Sequence, residues 1–157
     1  MNKIAALALA AILSGCSAFN KSQLSQLAMA NNNARVEKVE TTGKANSYTF
    51  VVTVSSPDTG CNKYADWWEV ISPEGKLLYR RVLLHSHVDE QPFTRTGGTV
   101  AIEPQQTVIV RVHMNSDGYS TIAQKGTVES GFNEITLDDD FALQLASVEP
   151  LPKNCAF

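Results

Sequence analysis

Apolar and polar residues alternate with a period of two along much of the chain beyond residue 35. The longest alternations run over residues 48–54 and 108–114, and a shorter one runs over residues 141–145. In an extended chain this period places every second side chain on the same face. Each of these segments therefore predicts a strand that turns one side toward a hydrophobic core.

A turn signal in the middle of the chain predicts a β-hairpin. Residues 67–71 and 76–84 are strand-like, and the sequence Ser-Pro-Glu-Gly lies between them at positions 72–75. Proline presets the backbone for a turn, and glycine permits the positive φ that many turns require. We expect the two segments to pair as neighbouring antiparallel strands.

Further turn signals separate the alternating segments, and no long helical period or internal repeat interrupts them. About six to eight short strands rich in Val, Thr, Ile and aromatic residues are typical of an antiparallel β-sandwich. We expect residues 35–157 to form an all-β domain of this kind, with an immunoglobulin-like or fibronectin-like topology. A small β-barrel is the alternative, because alternation does not distinguish a closed sheet from two packed sheets.

The balance of charged residues argues against one class of partner, nucleic acid. The chain carries 13 Lys and Arg against 16 Asp and Glu, a formal net charge of −3. A nucleic-acid interface needs a stripe of cationic side chains to neutralise phosphates, and the sequence offers no such stripe. We therefore expect no nucleic-acid partner.

Residues 1–16 differ from the rest of the chain. Lys3 gives a positive start, residues 4–12 are an apolar run, and the sequence Leu-Ser-Gly-Cys follows at 13–16. At about 1.5 Å per residue, the run reaches only about half of a ~30 Å hydrocarbon core. It therefore has the length of the apolar region of a signal peptide and not of a membrane-spanning helix.

The quartet that ends at Cys16 resembles the lipobox of bacterial lipoproteins, and the resemblance covers residues 1–16 only. It implies that residues 1–15 are removed as a signal peptide and that the Cys16 thiol receives a diacylglycerol. It also implies that the new amino group receives a further acyl chain such as palmitate. Two or more acyl chains anchor a protein stably to a membrane. The alternative is an ordinary secretory signal in which Cys16 is incidental.

Residues 16–34 are polar and predict a flexible tether between the lipid and the domain, with a short helix through Leu24, Leu27 and Ala28 as the alternative. Ser17 follows the lipid site. In Gram-negative lipoproteins with this motif, an aspartate at that position favours retention in the inner membrane. Because Ser17 replaces it, we expect an outer-membrane anchor and a domain that faces the periplasm.

Two further cysteines, Cys61 and Cys155, form an even pair once Cys16 is set aside. Thiols in the cell envelope are commonly oxidised. We expect a disulfide that ties residue 155 to the loop before the strand of residues 67–71. The alternative is a pair of thiols that act as soft metal ligands.

The densest polar cluster follows the second hairpin strand, around two histidines separated by one residue. If this segment is extended, both imidazoles face the same side, with Cα atoms about 6.5–7 Å apart, a spacing that two ligands of one metal ion can use. The candidate ligands for zinc or copper are His85, His87, His113, Asp89 and Glu90. The alternative, in which no cofactor is bound, is that the histidines bond to these acids and to local backbone groups and shape a turn.

Adjacent tryptophans in the hairpin must face opposite sides of a strand unless a bulge intervenes. One of them is expected in the core, and the other nearer solvent or beneath a loop. An exposed indole offers a platform for a sugar ring or a partner protein. The candidate patch comprises Tyr64, Trp67, Trp68, Tyr79 and Arg81, and the alternative is that these residues serve packing or are simply solvated.

No recognised catalytic motif is present in the sequence, neither G-x-S-x-G nor H-E-x-x-H nor a phosphate-binding glycine loop. We therefore expect a lipid-anchored protein of the cell envelope that is not an enzyme. Its sandwich would bind or scaffold an envelope protein or a cell-wall glycan. The alternative function is metal binding by a periplasm-facing lipoprotein through His85 and His87.

Overall fold

The computed structural model describes residues 33–156. The predicted signal peptide (residues 1–15), the lipid site Cys16 and most of the predicted tether (residues 16–34) lie outside the described residues. Strands account for about half of the described part, which also contains one short 3-10 helix at Leu143–Ser147. The strands are β1 (Arg35–Lys44), β2 (Ser47–Ser55), β3 (Ala65–Ile71), β4 (Leu77–Val82), β5 (Phe93–Val100), β6 (Val108–Met114), β7 (Gly118–Tyr119), β8 (Ile122–Thr127) and β9 (Gly131–Thr136).

The strands form two antiparallel sheets. The small sheet has the order β1-β2-β5, and the large sheet has the order β4-β3-β6-β8-β9, with β7 paired to β6. The connections from β2 to β3, from β4 to β5 and from β5 to β6 each cross between the sheets, as in an immunoglobulin-like sandwich. The predicted sandwich is therefore confirmed. The barrel alternative is wrong, because the two sheets do not join into one closed sheet.

The main core lies between the two sheets. Strand β2 buries every second residue toward it, as its alternation predicts, and β6 adds Val108, Val110 and Val112 from the opposite sheet. Trp68 of β3 is fully buried in this core. It packs against Gly97 of β5, where an added Cβ would lie only 2.8 Å from the indole. The two sheets approach closely at this point because one side chain is large and the other is absent.

The predicted hairpin is confirmed as strands β3 and β4. Trp67 lies opposite Val82 and Val70 opposite Tyr79 in an antiparallel register. The turn is closed by the Gly75 amide, which donates to the Ser72 carbonyl over 2.9 Å. Gly75 has a φ of +78°, a value that glycine adopts readily and other residues rarely do.

The outer face of the large sheet is covered by a third layer, the C-terminal segment of residues 137–150. A second apolar cluster lies beneath this segment and includes Ile71, Ile109, Ala123 and Leu145. Strand β3 is consequently buried along its whole length. The expectation of a single core-facing side therefore holds for β2 but not for β6, whose outer residues Ile109 and Arg111 are also buried.

The prediction of a strand over residues 141–145 is wrong. Residues Leu143–Ser147 form the 3-10 helix, with Phe141 and Leu145 packed on the second cluster and Leu143 49% exposed. Backbone carbonyls of this segment accept hydrogen bonds from arginine side chains of the large sheet rather than from a neighbouring strand. The segment can therefore lie on the sheet without joining it.

Candidate functional site

A fully buried carboxylate, Glu69 of β3, lies at the centre of the outer face of the large sheet. Its Oε1 accepts a hydrogen bond from Nε of Arg111 over 2.8 Å, and its Oε2 accepts one from Nε of Arg80 over 2.9 Å. The two arginines come from the neighbouring strands β6 and β4, and their side chains are at most 1% exposed. We call these three residues the arginine cluster.

The remaining donors of the arginine cluster bind the C-terminal segment. Arg111 donates to the carbonyls of Phe141 over 2.7 Å and Ala142 over 3.0 Å. Arg80 donates to the carbonyl of Leu145 over 2.7 Å and also to those of residues 148 and 150. Buried charges are retained when they are paired and fully hydrogen-bonded, and these contacts meet that condition. The cluster thus attaches the third layer to the sheet and leaves its guanidinium groups engaged with protein atoms.

The aromatic residues of the predicted ligand patch lie inside the domain, contrary to the expectation of an exposed platform. Tyr64, Trp67 and Trp68 are at most 3% exposed, and Tyr79 is half-buried beside Trp68. The tryptophans do face opposite sides of the sheet, as expected. Trp67 is nevertheless buried, because its ring packs against His113, Tyr119 and Arg80 on the outer face. Of the predicted patch only Arg81 is exposed.

Trp67 forms a stack with His113 of the neighbouring strand. Their rings are 3.7 Å apart and inclined by 7°, and the guanidinium of Arg80 lies 4.5 Å from the indole centroid. Nδ1 of His113 lies 2.7 Å from Oδ1 of Asp66, which fixes the orientation of the imidazole. Tyr119 packs on the same stack, and burial, reinforced by the charge of Glu69, raises the pKa of its hydroxyl to about 12.

Of the predicted metal ligands, His85 and His87 lie side by side with ring centroids 4.6 Å apart, and His113 lies apart from them. His113 lies on the outer face of the large sheet with Trp67, whereas His85 and His87 lie in the loop between β4 and β5. Glu90 is paired with Arg95 over 2.8 Å, and Asp89 is exposed. Among residues 33–156, no group of three or more His, Cys, Asp or Glu side chains is arranged to hold a metal ion.

The two loop histidines have different surroundings. His85 is exposed, while His87 is 3% exposed and stacks on Phe93 with ring centroids 3.8 Å apart. Neither ring nitrogen of His87 has a hydrogen-bond partner among residues 33–156, although its Nδ1 lies 3.8 Å from Oδ2 of Asp58. Burial lowers the pKa of His87, and the nearby charges of Arg95 and His85 lower it further.

The buried residue that organises this loop is Asp58. Its Oδ2 accepts the backbone amide of His87 over 2.8 Å, and its Oδ1 accepts the amide of Ala65 over 3.0 Å and the hydroxyl of Ser56 over 2.7 Å. The His87 carbonyl in turn accepts the amide of Glu90, which closes a local turn. The loop therefore contains a turn at His87, as the alternative interpretation expected. The acid that binds His87 is Asp58, not Asp89 or Glu90, and it binds the backbone amide.

Neither Asp58 nor the arginine cluster was predicted from the sequence. One signal was available: Glu69 is a lone charge inside the strand sequence Trp-Trp-Glu-Val-Ile, where an unpaired carboxylate would be costly. Arg111 occupies a comparable place in β6. Asp58 has no comparable signal in the sequence, because two of its three partners are backbone amides, those of Ala65 and His87.

The predicted disulfide between Cys61 and Cys155 is present and joins residues 94 positions apart. Beside it, the Asn115 side chain donates to the Cys61 carbonyl over 2.9 Å and accepts the Tyr64 amide over 3.0 Å. The Ala156 amide donates to the Leu84 carbonyl. The end of the described chain is therefore fixed against the loop before β3 and against the residues that follow β4.

Comparison with known proteins yields one informative similarity. Over 82 residues the chain is 42% identical to a protein of Halomicrobium mukohataei (strain ATCC 700874 / DSM 12286 / JCM 9738 / NCIMB 13541) whose name reads "Putative lipoprotein". The match covers 52% of this chain and 40% of that relative, so the chain spans about two fifths of the relative's length. No protein-family model matches, and no solved structure matches. The relative's name is consistent with a membrane-anchored lipoprotein of the cell envelope.

None of the helices within the described residues is long and apolar enough to cross a membrane.

Proposed function

We propose that this protein is a lipid-anchored component of the cell envelope whose sandwich serves binding or scaffolding rather than catalysis. The observation that carries the proposal is the sequence Leu-Ser-Gly-Cys at 13–16, directly after an apolar run that is too short to span a bilayer. The name of the Halomicrobium relative supports it. Lipidation at Cys16 would supply the anchor.

The engagement of the buried charged groups supports a non-catalytic role. The charges of Glu69, Arg80 and Arg111 serve to hold the third layer, and Asp58 joins the loop before β3 to the loop between β4 and β5. The Asp66–His113 pair lies against a buried indole. A catalytic site instead positions its acid, base or nucleophile so that a substrate can reach it.

The anchor is tested by replacing Cys16 with serine and fractionating cells. We expect the native protein to sediment with membranes and to incorporate labelled palmitate, and the Cys16→Ser variant to do neither, because serine cannot receive the thioether-linked lipid. A Cys61→Ser, Cys155→Ser double variant is the matched control and should keep the label. Membrane association and labelling of the Cys16→Ser variant equal to those of the native protein would refute the proposal.

We further propose an outer-membrane anchor with the domain in the periplasm, which is supported by Ser17 at the position after Cys16. A Ser17→Asp variant should move from outer-membrane to inner-membrane fractions while it retains the palmitate label. An unchanged distribution would show that Ser17 does not direct sorting. Extraction of the native protein with its membrane, followed by mass spectrometry of the material that accompanies it, would distinguish an envelope protein from a cell-wall glycan as the partner.

A further inference from the structure

The point where the chain enters the domain and most of the loops described above lie at the same end of the sandwich. Strand β1 begins there with Arg35 opposite Ser55, the last residue of β2. Strand β3 begins there with Ala65 opposite Met114, the last residue of β6. Asp58 links the two sheets at this end. We call it the tether end, because the predicted tether would join it at residue 33.

The tether end carries a shallow apolar groove of about 450 Å³ between the residues after β4 and the C-terminal residues. The residues that line it are Val82, Leu84, Leu151, Lys153, Asn154 and Ala156. Leu84 is 57% exposed and Val88, in the adjacent loop, is 50% exposed. These are the two most exposed large apolar side chains among residues 33–156. The Cys61–Cys155 disulfide and the bond from Ala156 to Leu84 hold the two walls of the groove together.

The residues that line the groove carry one charge, that of Lys153, while the exposed carboxylates of Glu149 and Asp89 lie in the adjoining segments. Lys153 is exposed, and none of the described residues that line the groove is acidic. Two carboxylates at the same end are paired with cations, Glu90 with Arg95 and Asp117 with Lys63. Exposed apolar side chains next to a lysine are the combination by which proteins insert into the headgroup region of an anionic bilayer.

We propose that the tether end docks on the lipid bilayer, with Leu84 and Leu151 in the interface and Lys153 against anionic headgroups. This inference rests on the proposed lipid anchor. A chain as long as residues 17–32 would span about 20–25 Å as a random coil, so the anchored domain would meet the bilayer at a high effective concentration. The groove can therefore add to membrane binding even if its own affinity for lipid is low.

The test uses the full, lipidated protein in vesicles and measures hydrogen exchange of residues 84–89 and 151–156. We expect slower exchange in vesicles that contain anionic lipid than in purely neutral ones. Leu84→Glu should remove this difference, because losing one buried leucine weakens docking about tenfold. Leu143→Glu is the matched control and should retain it. Leu143 is 49% exposed, and its neighbour Ala142 contacts Gly75 in the turn at the opposite end of the sandwich.

A second variant isolates the headgroup contact. Lys153→Glu should leave the protein in the vesicles and abolish the difference between anionic and neutral lipid. Protection that disappears when the protein is diluted in excess anionic lipid would identify a second copy of the chain as the occupant and overturn docking on lipid. Equal exchange in both vesicle types, with the protein still in the membrane, would overturn docking and leave the lipid anchor standing. Loss of the protein from the membrane altogether would overturn the anchor first, and docking with it.

Discussion

Glu69 is the residue on which the third layer of the domain depends. It lies between two arginines from different strands, and these arginines hold at least four backbone carbonyls of the C-terminal segment. A buried ion pair is not by itself a source of stability, because desolvation offsets much of the attraction. Removing one partner is costly all the same, since the remaining charges stay buried without compensation.

We therefore predict that Glu69→Gln lowers the free energy of unfolding by about 3–5 kcal/mol. Both guanidinium groups would keep their positions but lose the only carboxylate that the structure places between them. Urea unfolding measures the loss. The control is Glu40→Gln, which breaks the exposed pair with Lys38 and should cost at most about 1 kcal/mol. Equal losses in the two variants would contradict a stabilising role for the cluster.

His87 is predicted to make the domain less stable in mild acid. A histidine in an unfolded chain takes up a proton near pH 6.5. Burial, followed by the charges of Arg95 and His85, lowers the pKa of His87 in the folded protein, while Asp58 and Glu90 oppose the shift. The unfolded state therefore binds more protons as the pH falls below about 6.5, and stability decreases until the folded pKa is passed.

Urea unfolding at pH 7.5 and at pH 5.5 measures this effect. His87→Gln removes the titrating group and should flatten the difference between the two pH values, whatever it does to stability at pH 7.5. His85→Gln alters the exposed histidine next to it and should preserve most of the difference. If His87→Gln retains the full acid sensitivity, another group is responsible.

The contact between β5 and the β3–β4 hairpin determines how closely the two sheets pack. A Cβ on Gly97 would lie 2.7 Å from the Tyr79 hydroxyl and 2.8 Å from Trp68. At an exposed strand position, alanine would be at least as stable as glycine. At position 97 the added methyl group would instead be crowded, so we expect the substitution to be destabilising. We predict that Gly97→Ala lowers the free energy of unfolding by about 1–3 kcal/mol.

The control for this prediction is Thr96→Ala, one residue earlier on the exposed side of β5, which should change stability little. A Tyr79→Leu background tests the mechanism. It removes the hydroxyl that crowds the new methyl group, and it should therefore reduce the cost of Gly97→Ala. If Gly97→Ala lowers the free energy of unfolding equally in both backgrounds, the strain does not arise from Tyr79.

The elements that the sequence predicts are those whose burial repeats every second residue. Strand β2 and the core face of β6 follow this rule, and the hairpin at 72–75 is specified by its turn residues. Residues 141–145 show the limit of the rule. Phe141 and Leu145 are packed on the second cluster, and Leu143 is exposed. This segment lies on the sheet with a short 3-10 helix, so the same alternation arises here without strand pairing.

The candidate site was harder to predict because its partners are distant in the chain. The sequence does establish that Trp67 and Trp68 face opposite sides. The outer indole is buried against His113, Tyr119 and Arg80. Arg80 is in turn held by backbone carbonyls of the C-terminal segment, which have no sequence signature. The role of Asp58 could not be predicted for a related reason, since it contacts the backbone of His87 from 29 positions away.

Within residues 33–156, one disulfide cross-links a domain of three layers. The small sheet packs on the inner face of the large sheet, and the C-terminal segment packs on its outer face. Beyond that segment the chain returns to the tether end, where Cys155 meets Cys61. The disulfide therefore secures the last part of the chain after it has crossed the outer face.

This closure predicts a large effect of the disulfide on stability. The cross-link joins residues 94 positions apart, and in the loop-entropy model a closure of this length stabilises the folded state by about 4–5 kcal/mol. The Cys61→Ser, Cys155→Ser variant should unfold at a lower urea concentration by a corresponding margin, and a reducing agent should shift the native protein to the same midpoint. The variant itself is the control for the reagent, since its midpoint should not move. If reduction leaves the native midpoint unchanged, the C-terminal segment is held by the arginine cluster alone, and Glu69→Gln should then release it.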